Sequence, residues 1–253
     1  MRKLAAGVAL VVLLVLSMAG AAQSMWAATA PQSDCSQISE IPAAECDALS
    51  ALYTGANGAG WAQHTSWFAN TTPCNWFGVT CNVGSHRHVT ELRLSYNQLS
   101  GAIPSQLGDL SQLQYLALDT NQLTGSIPTQ LGNLSQLQEL YLYSNQLSGG
   151  IPPQLGSLGQ LLYLYLDSNR LTGSIPPELG NLSHLEEIYL NCNLLSGDLP
   201  QTLTNLTNLI VFYFDVYRVG VPGNAAFQAW LAGIQFAGAG SLACVRFLPT
   251  VSR

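Results

Sequence analysis

The chain has 253 residues, a formal net charge of −6 at pH 7, and charged side chains at only 9% of positions. Lys3 is its sole lysine, and an acidic surface without clustered Lys or Arg cannot drive the counterion release on which nucleic-acid binding depends. Nucleic acid is therefore excluded as an expected partner. The length would accommodate two domains, but no linker interrupts the region from about Val89 to Asn208, so one elongated domain is expected.

At the N-terminus, a basic start (Arg2, Lys3), an apolar run from Leu4 to Leu16 and a small-residue site at Ala19–Ala21 predict a secretory signal peptide over 1–22, cleaved near Ala21 or Ala22. An uncleaved membrane anchor is the alternative, since the stretch approaches the ~20 residues needed to span a bilayer. From Pro42 to Tyr53 the spacing of Leu49, Leu52 and Tyr53 predicts a helix that Gly55 stops. Trp61, Trp67 and Trp76 then supply bulk to cover the first unit of the region beyond.

That region is a repeat. Asn97, Asn121, Asn145, Asn169 and Asn193 stand 24 residues apart, each preceded by alternating leucines and followed by Leu-(Ser/Thr)-Gly-x-(Ile/Leu)-Pro. Such a period means a solenoid whose units must stack to bury their apolar faces. The pairs Leu92 and Leu94, Leu116 and Leu118, Leu140 and Leu142, Leu164 and Leu166, and Ile188 and Leu190 show the period-2 pattern of a short half-buried strand, one per coil. Behind each strand the Asn amide can face inward and pair with backbone groups of its own and the adjacent coil, forming a ladder. Prolines such as Pro128 and Pro152 forbid a long helix on the far side, which is expected to be extended or 3₁₀. Leu209 to Val216 repeats the strand pattern with Phe212 and Phe214 in the leucine places, but Tyr217 stands where the Asn belongs. Asn224 then caps a short helix with Phe227, Trp230, Leu231 and Ile234 on one stripe. The expected organisation is a signal peptide (1–22), a cysteine-containing front cap (34–88), five repeats (89–208), a degenerate sixth repeat with a rear cap (209–236), and a tail without motifs (237–253).

The phrase Leu116-Ala-Leu-Asp-Thr-Asn121-Gln-Leu-Thr-Gly125-Ser-Ile-Pro128 resembles the plant-type leucine-rich repeat of receptor-like kinase ectodomains, polygalacturonase-inhibiting proteins and secreted bacterial relatives. The resemblance implies an α/β repeat fold: a right-handed solenoid with a concave parallel sheet, a second short sheet after the Asn turn, and caps at both ends. Cys74-Asn-Trp-Phe-Gly-Val-Thr-Cys81 is similar to the cap that precedes such repeats. With an export signal, disulfides are favoured; Cys74 is expected to pair with Cys81, and Cys35 with Cys46. Loop-closure arithmetic for the former gives roughly 2 to 3 kcal/mol. Cys192 and Cys244 remain; Cys192 could bridge to the tail or stay unpaired, and the unpaired thiol is the expectation. Cysteines and histidines show no metal-ligand spacing, so no metal is expected.

Residues flanking the strand leucines point away from the core, giving three columns with one residue per coil. Column one runs Glu91, Tyr115, Glu139, Tyr163, Glu187, Val211. Column two runs Arg93, Ala117, Tyr141, Tyr165, Tyr189, Tyr213. Column three runs Ser95, Asp119, Tyr143, Asp167, Asn191, Asp215. With parallel strands about 4.8 Å apart, four tyrosines of column two make a strip of roughly 14 Å. Tyrosine offers rigid contact area at small entropic cost, as binding surfaces require. A concave site for a protein, peptide or carbohydrate is expected, centred on Tyr141, Tyr165, Tyr189 and Asp167, with acidic neighbours favouring cationic or hydroxyl-rich partners. No nucleophile–base motif or phosphate-cradling glycine loop occurs, so the chain is read as non-catalytic and without cofactor. The hydroxyl column Ser100, Thr124, Ser148, Thr172 and Ser196 raises an ice-facing surface, but Leu-(Ser/Thr)-Gly is already the repeat phrase. The reading is a secreted or cell-surface recognition module, with inhibition of an extracellular cell-wall-degrading glycosidase or an adhesive structural role as alternatives. Membrane association is expected only if the N-terminal segment is retained.

Overall fold

The computed structural model describes residues 35–234 and the backbone of 236–239. The expected signal segment and nearly all of the tail lie outside the described residues. Among the described residues one sheet has eight strands: β1 (Val79–Cys81), β2 (Val89–Arg93), β3 (Tyr115–Ala117), β4 (Glu139–Tyr141), β5 (Tyr163–Tyr165), β6 (Glu187–Tyr189), β7 (Val211–Asp215) and β8 (Phe236–Ala239). They are ordered along the chain; β1 runs antiparallel to β2 and every other pair is parallel. The order arises from the repeat, because each coil can offer a partner strand only to the coil before and the coil after.

On the opposite wall, Pro104, Pro128, Pro152, Pro176 and Pro200 each precede a single 3₁₀ turn: Ser105–Asp109, Thr129–Asn133, Pro153–Ser157, Pro177–Asn181 and Gln201–Asn205. Proline has a fixed φ and needs no N–H partner at the start of a turn, so each turn opens after one, and it stops when the leucine after it, from Leu110 to Leu206, leaves the helical region with ψ of 64 to 74°. Short parallel pairings on the flank, such as Ser100–Ala102 with Gln122–Thr124 and Ser148–Gly149 with Arg170–Gly173, form the second set of strands. Between the walls lies the core: Leu116, Leu118, Leu123, Leu131, Leu134 and Leu137 of one coil have no accessible surface, and their equivalents repeat down the stack. Full burial of each leucine is worth roughly 1.5–3 kcal/mol, which one coil alone could not obtain.

The asparagines tie the coils together. Asn145 donates from Nδ2 to the carbonyls of Leu118 (2.9 Å), Leu142 (3.2 Å) and Tyr143 (3.3 Å), while its Oδ1 accepts the Leu123 N–H at 2.9 Å. Asn121, Asn169 and Asn193 repeat this bonding. Asn97, at the first coil, bonds instead to both backbone groups of Gln63 in the front cap. At the far end the ladder closes on an acid: the Asn193 N–H donates to Asp215 Oδ2 at 3.2 Å, while Tyr217, in the expected Asn place, is 80% exposed.

Both ends are covered. Helix α1 (Ala43–Gly55) buries Leu49, Leu52 and Tyr53, and Tyr53, Trp61, Trp67, Phe68 and Trp76 pack with ring centroids 4.6 to 6.1 Å apart. Buried Glu45 on α1 accepts the Val89 N–H at 2.8 Å and pairs with His88 at 2.6 Å, anchoring the cap to the start of β2. Disulfides join Cys35 to Cys46 and Cys74 to Cys81. Cys192 is also disulfide-bonded, which corrects the expectation of an unpaired thiol; its partner lies outside the described residues. Cys192 holds the left-handed position just before the ladder Asn and is half-buried, outside the leucine core of its coil. At the rear, helix α2 (Ala225–Ala232) is capped by Asn224, whose Oδ1 accepts the Phe227 N–H at 2.9 Å, and it buries Phe227 completely.

Candidate recognition face

Strands only three residues long leave two side chains per coil on the outer face of the sheet, and the parallel register aligns them. Glu91, Tyr115, Glu139, Tyr163, Glu187 and Val211 form one row of Cα partners. Arg93, Ala117, Tyr141, Tyr165, Tyr189 and Tyr213 form the next. All seven tyrosines of the predicted face, Tyr115, Tyr141, Tyr143, Tyr163, Tyr165, Tyr189 and Tyr213, are half-buried. In column two the rings meet in sequence, with centroids 4.9 Å apart for Tyr141–Tyr165, 4.3 Å for Tyr165–Tyr189 and 4.9 Å for Tyr189–Tyr213. Tyr115 joins from column one, 5.4 Å from Tyr141, and Tyr143 from column three, 6.2 Å from Tyr165. Edge and tilted contacts of this kind suit aromatic quadrupoles and lock the rings against one another.

The hydroxyls are spoken for by carboxylates. Tyr141 donates to Glu139 at 2.7 Å, Tyr163 to Glu186 at 3.1 Å, and Tyr165 to Glu187. Burial pushes the Tyr141 and Tyr165 hydroxyls well above the usual phenol range, and the neighbouring glutamates add to the shift. Tyr143 is raised by burial and then by Asp119. These rings stay neutral donors at any physiological pH. Asp167 is pushed up to about 6 by burial, although Ser168 Oγ, at 3.0 Å, favours its charged form.

Column three departs from expectation. Except for Asp215, the last residue of β7, it lies beyond the strand ends, next to Thr120, Ser144, Ser168 and Cys192 with left-handed φ values of 52 to 57°, so strict alternation no longer decides which way a side chain faces. Asp119 is 3% exposed and accepts hydrogen bonds from Ser95 Oγ and, at 3.2 Å, Thr120 Oγ1. Asp215 is 7% exposed and closes the ladder. Asn191 is half-buried; its Oδ1 is buried without a partner among the described residues, and its Nδ2 lies 3.4 Å from Cys192 Sγ. Asp119 and Asp215 are thus buried acceptors for groups of their own and neighbouring coils, and Asp119 also lines the hollow of the face. Glu139, Asp167 and Glu187 remain half-exposed on the face.

The face also has a hollow. Ser95, Tyr96, Tyr115, Asp119, Tyr141, Tyr143 and Tyr165 line a pocket of about 330 Å³. The Arg93 guanidinium carbon sits 3.4 Å from the ring centroid of Tyr115, one of the lining residues, while Arg93 Nε pairs with Glu91 at 2.8 Å. Two contributors were not legible from the repeat pattern. Tyr96 occupies the left-handed position before the ladder Asn, where the other coils carry Thr120, Ser144, Ser168 and Cys192, so the repeat gives no sign of an aromatic there. Glu186 lies one residue ahead of its strand. Among the described residues no cluster of three or more His, Cys, Asp or Glu is placed to hold a metal ion.

A solenoid with one parallel strand per 24-residue coil, an asparagine ladder and an aromatic open sheet defines a class of repeat protein. A family model described as a leucine-rich repeat region matches residues 75–231, and one described as a leucine-rich repeat N-terminal domain matches residues 42–82; the chain belongs to the leucine-rich repeat family. Leucine-rich repeat protein 2 of Arabidopsis thaliana is 52% identical over 44 residues, 17% of this chain and 19% of that protein. A polygalacturonase inhibitor of Vitis vinifera is 43% identical over 51 residues, 20% of this chain and 15% of that protein. The chain thus spans less than a fifth of the length of these curated relatives. Among solved structures, the ectodomain of the Arabidopsis thaliana receptor kinase SOBIR1 superposes with a TM-score of 0.61 at 30% identity, covering 73% of this chain and 99% of that one. The plant peptide hormone receptor RGFR1 in complex with RGF2 gives 0.51 at 37% identity, covering 56% and 23%.

Proposed function

We propose that this protein is a non-catalytic recognition module, acting outside the cell or at its surface, that binds a peptide or protein segment across the tyrosine face of its sheet. The observation that carries the reading is the run of mutually contacting rings from Tyr141 to Tyr213, held in register by the strands and left half-open to solvent. Rings fixed by their neighbours lose little entropy when a ligand is seated, so their contact area converts efficiently into affinity. The likeness to a peptide hormone receptor solved with its ligand supports a peptide as partner class.

The test is panning of a displayed random-peptide library on the immobilised protein, with a Tyr165→Ala, Tyr189→Ala double variant as counter-screen. Enriched peptides should lose about 2 kcal/mol or more on the variant, some thirtyfold in Kd. Binders that do not distinguish the two proteins would place recognition elsewhere and reject this face. The second reading is inhibition of a cell-wall glycosidase, supported by the likeness to the Vitis vinifera inhibitor. Undiminished polygalacturonase turnover at saturating protein would dismiss it.

A further inference from the structure

Column two is broken once. Between Arg93 and Tyr141 the register places Ala117, and the Tyr115 ring leans across that gap to meet Tyr141. The two rings that meet across it, Tyr115 and Tyr141, both line the pocket of about 330 Å³. Three features of its wall point to one ligand chemistry. One lining ring already holds a cation: the Arg93 guanidinium lies 3.4 Å from the centroid of Tyr115, and among the described residues no other Arg or Lys stacks on a ring. Next, Asp119 is a buried carboxylate on the pocket wall that hydroxyls solvate but, among the described residues, no cation pairs with. Uncompensated negative charge in such a place attracts a cation strongly, because little solvent screens it. Finally, Tyr141 and Tyr165 donate their hydroxyl hydrogens to Glu139 and Glu187, which enriches the ring faces in electron density and strengthens their attraction for a cation.

We propose that this pocket receives the guanidinium or ammonium head of a basic side chain from an extended peptide lying along the sheet. The peptide part of this inference rests on the function proposed above. Planar guanidinium is the better fit, since it can stack on tyrosine as Arg93 does and still hydrogen-bond to carboxylate. Flanking residues of such a peptide would reach the rings of Tyr165 and Tyr189, which continue the strip from the pocket edge.

The test is a titration of the protein with N-acetyl-arginine amide and with its uncharged isostere, N-acetyl-citrulline amide, followed by the NMR resonances of the tyrosine rings. The arginine compound should shift the rings of Tyr115, Tyr141 and Tyr143 with half-saturation at least about fivefold lower than the citrulline compound. Asp119→Asn should erase that preference. Because Asp119 is buried and its replacement could disturb the coil, half-exposed Glu139→Gln supplies a second variant, expected to weaken arginine binding at an unchanged melting temperature. Equal response to the two compounds, or no response into the millimolar range, would overturn the inference. Panned peptides that need Tyr165 and Tyr189 but carry no basic residue would leave the recognition face standing and remove the cation pocket. Arginine binding without any tyrosine-dependent peptide would remove the peptide and reduce the pocket to a small-cation site.

Discussion

Asp167 shows how one residue can be placed correctly by pattern and still behave unexpectedly. Its raised pKa means that the folded state holds the proton more tightly than the unfolded chain, whose carboxyl titrates near 3.8. Between about 4 and 6 the native protein therefore binds more protons, and stability falls as pH rises through that window. The destabilisation is complete above the folded value and, for a shift of about two pH units, amounts to at most ~3 kcal/mol. Asp167→Asn should remove this slope, leaving the variant more stable than the parent at pH 7 and nearly equal at pH 3.5; urea midpoints across pH would show it. An unchanged slope would mean that Asp167 is better solvated than its surroundings imply. The ladder asparagines behave oppositely. Each satisfies several buried backbone groups, and truncating one would leave them unpaired at roughly 1–3 kcal/mol per group.

Among the elements, the 3₁₀ turns carry the tightest constraint. Gly108, Gly132, Gly156 and Gly180 recur at the fourth residue of each turn, and a Cβ on any of them would lie 2.3 to 2.4 Å from a backbone carbonyl oxygen of the next turn: Gln130, Gln154, Glu178 or Thr202. The equivalent residue of the fifth turn is Thr204, half-buried, and no sixth turn succeeds it among the described residues. Absence of a Cβ is thus the condition for stacking one turn on another, not for turning. Gly156→Ala should cost about 1–3 kcal/mol by overpacking against an immovable carbonyl, whereas Thr204→Ala should fall within about 0.5 kcal/mol apart from the loss of its weak bond to the Gln201 carbonyl. Chemical denaturation of both variants measures the contrast. A mild Gly156→Ala would show that adjacent coils can slide apart.

For the whole molecule, stability depends on closing the stack. Phe212 and Phe214 of the last full-length strand are buried, with Phe227 and Trp230 of α2 packed over that end; the Phe227 and Trp230 rings are 5.1 Å apart and Phe212 lies 6.4 Å from Trp230. Phe227→Ala should cost about 3–5 kcal/mol, and since repeats couple mainly to neighbours the loss should begin at β7 rather than spread evenly. Hydrogen exchange should accelerate first in residues 209–220 while the coils around Leu116 stay protected. Uniform acceleration would indicate an all-or-none solenoid.

Much of this architecture was legible in the residues. The 24-residue spacing determined the strand positions, the ladder, the prolines that open each turn of the outer wall and the two in-register columns, because every coil must repeat the same burial problem. Tertiary structure alone decided what happens where that regularity lapses. Past the strand end, left-handed turns bury Asp119 where it lines the pocket; at the last coil Asp215, not Tyr217, receives the ladder; and Cys192 bonds outside its own coil. Periodicity describes residues that see identical neighbours on both sides. These three meet different neighbours in three dimensions, and only their packing could assign them.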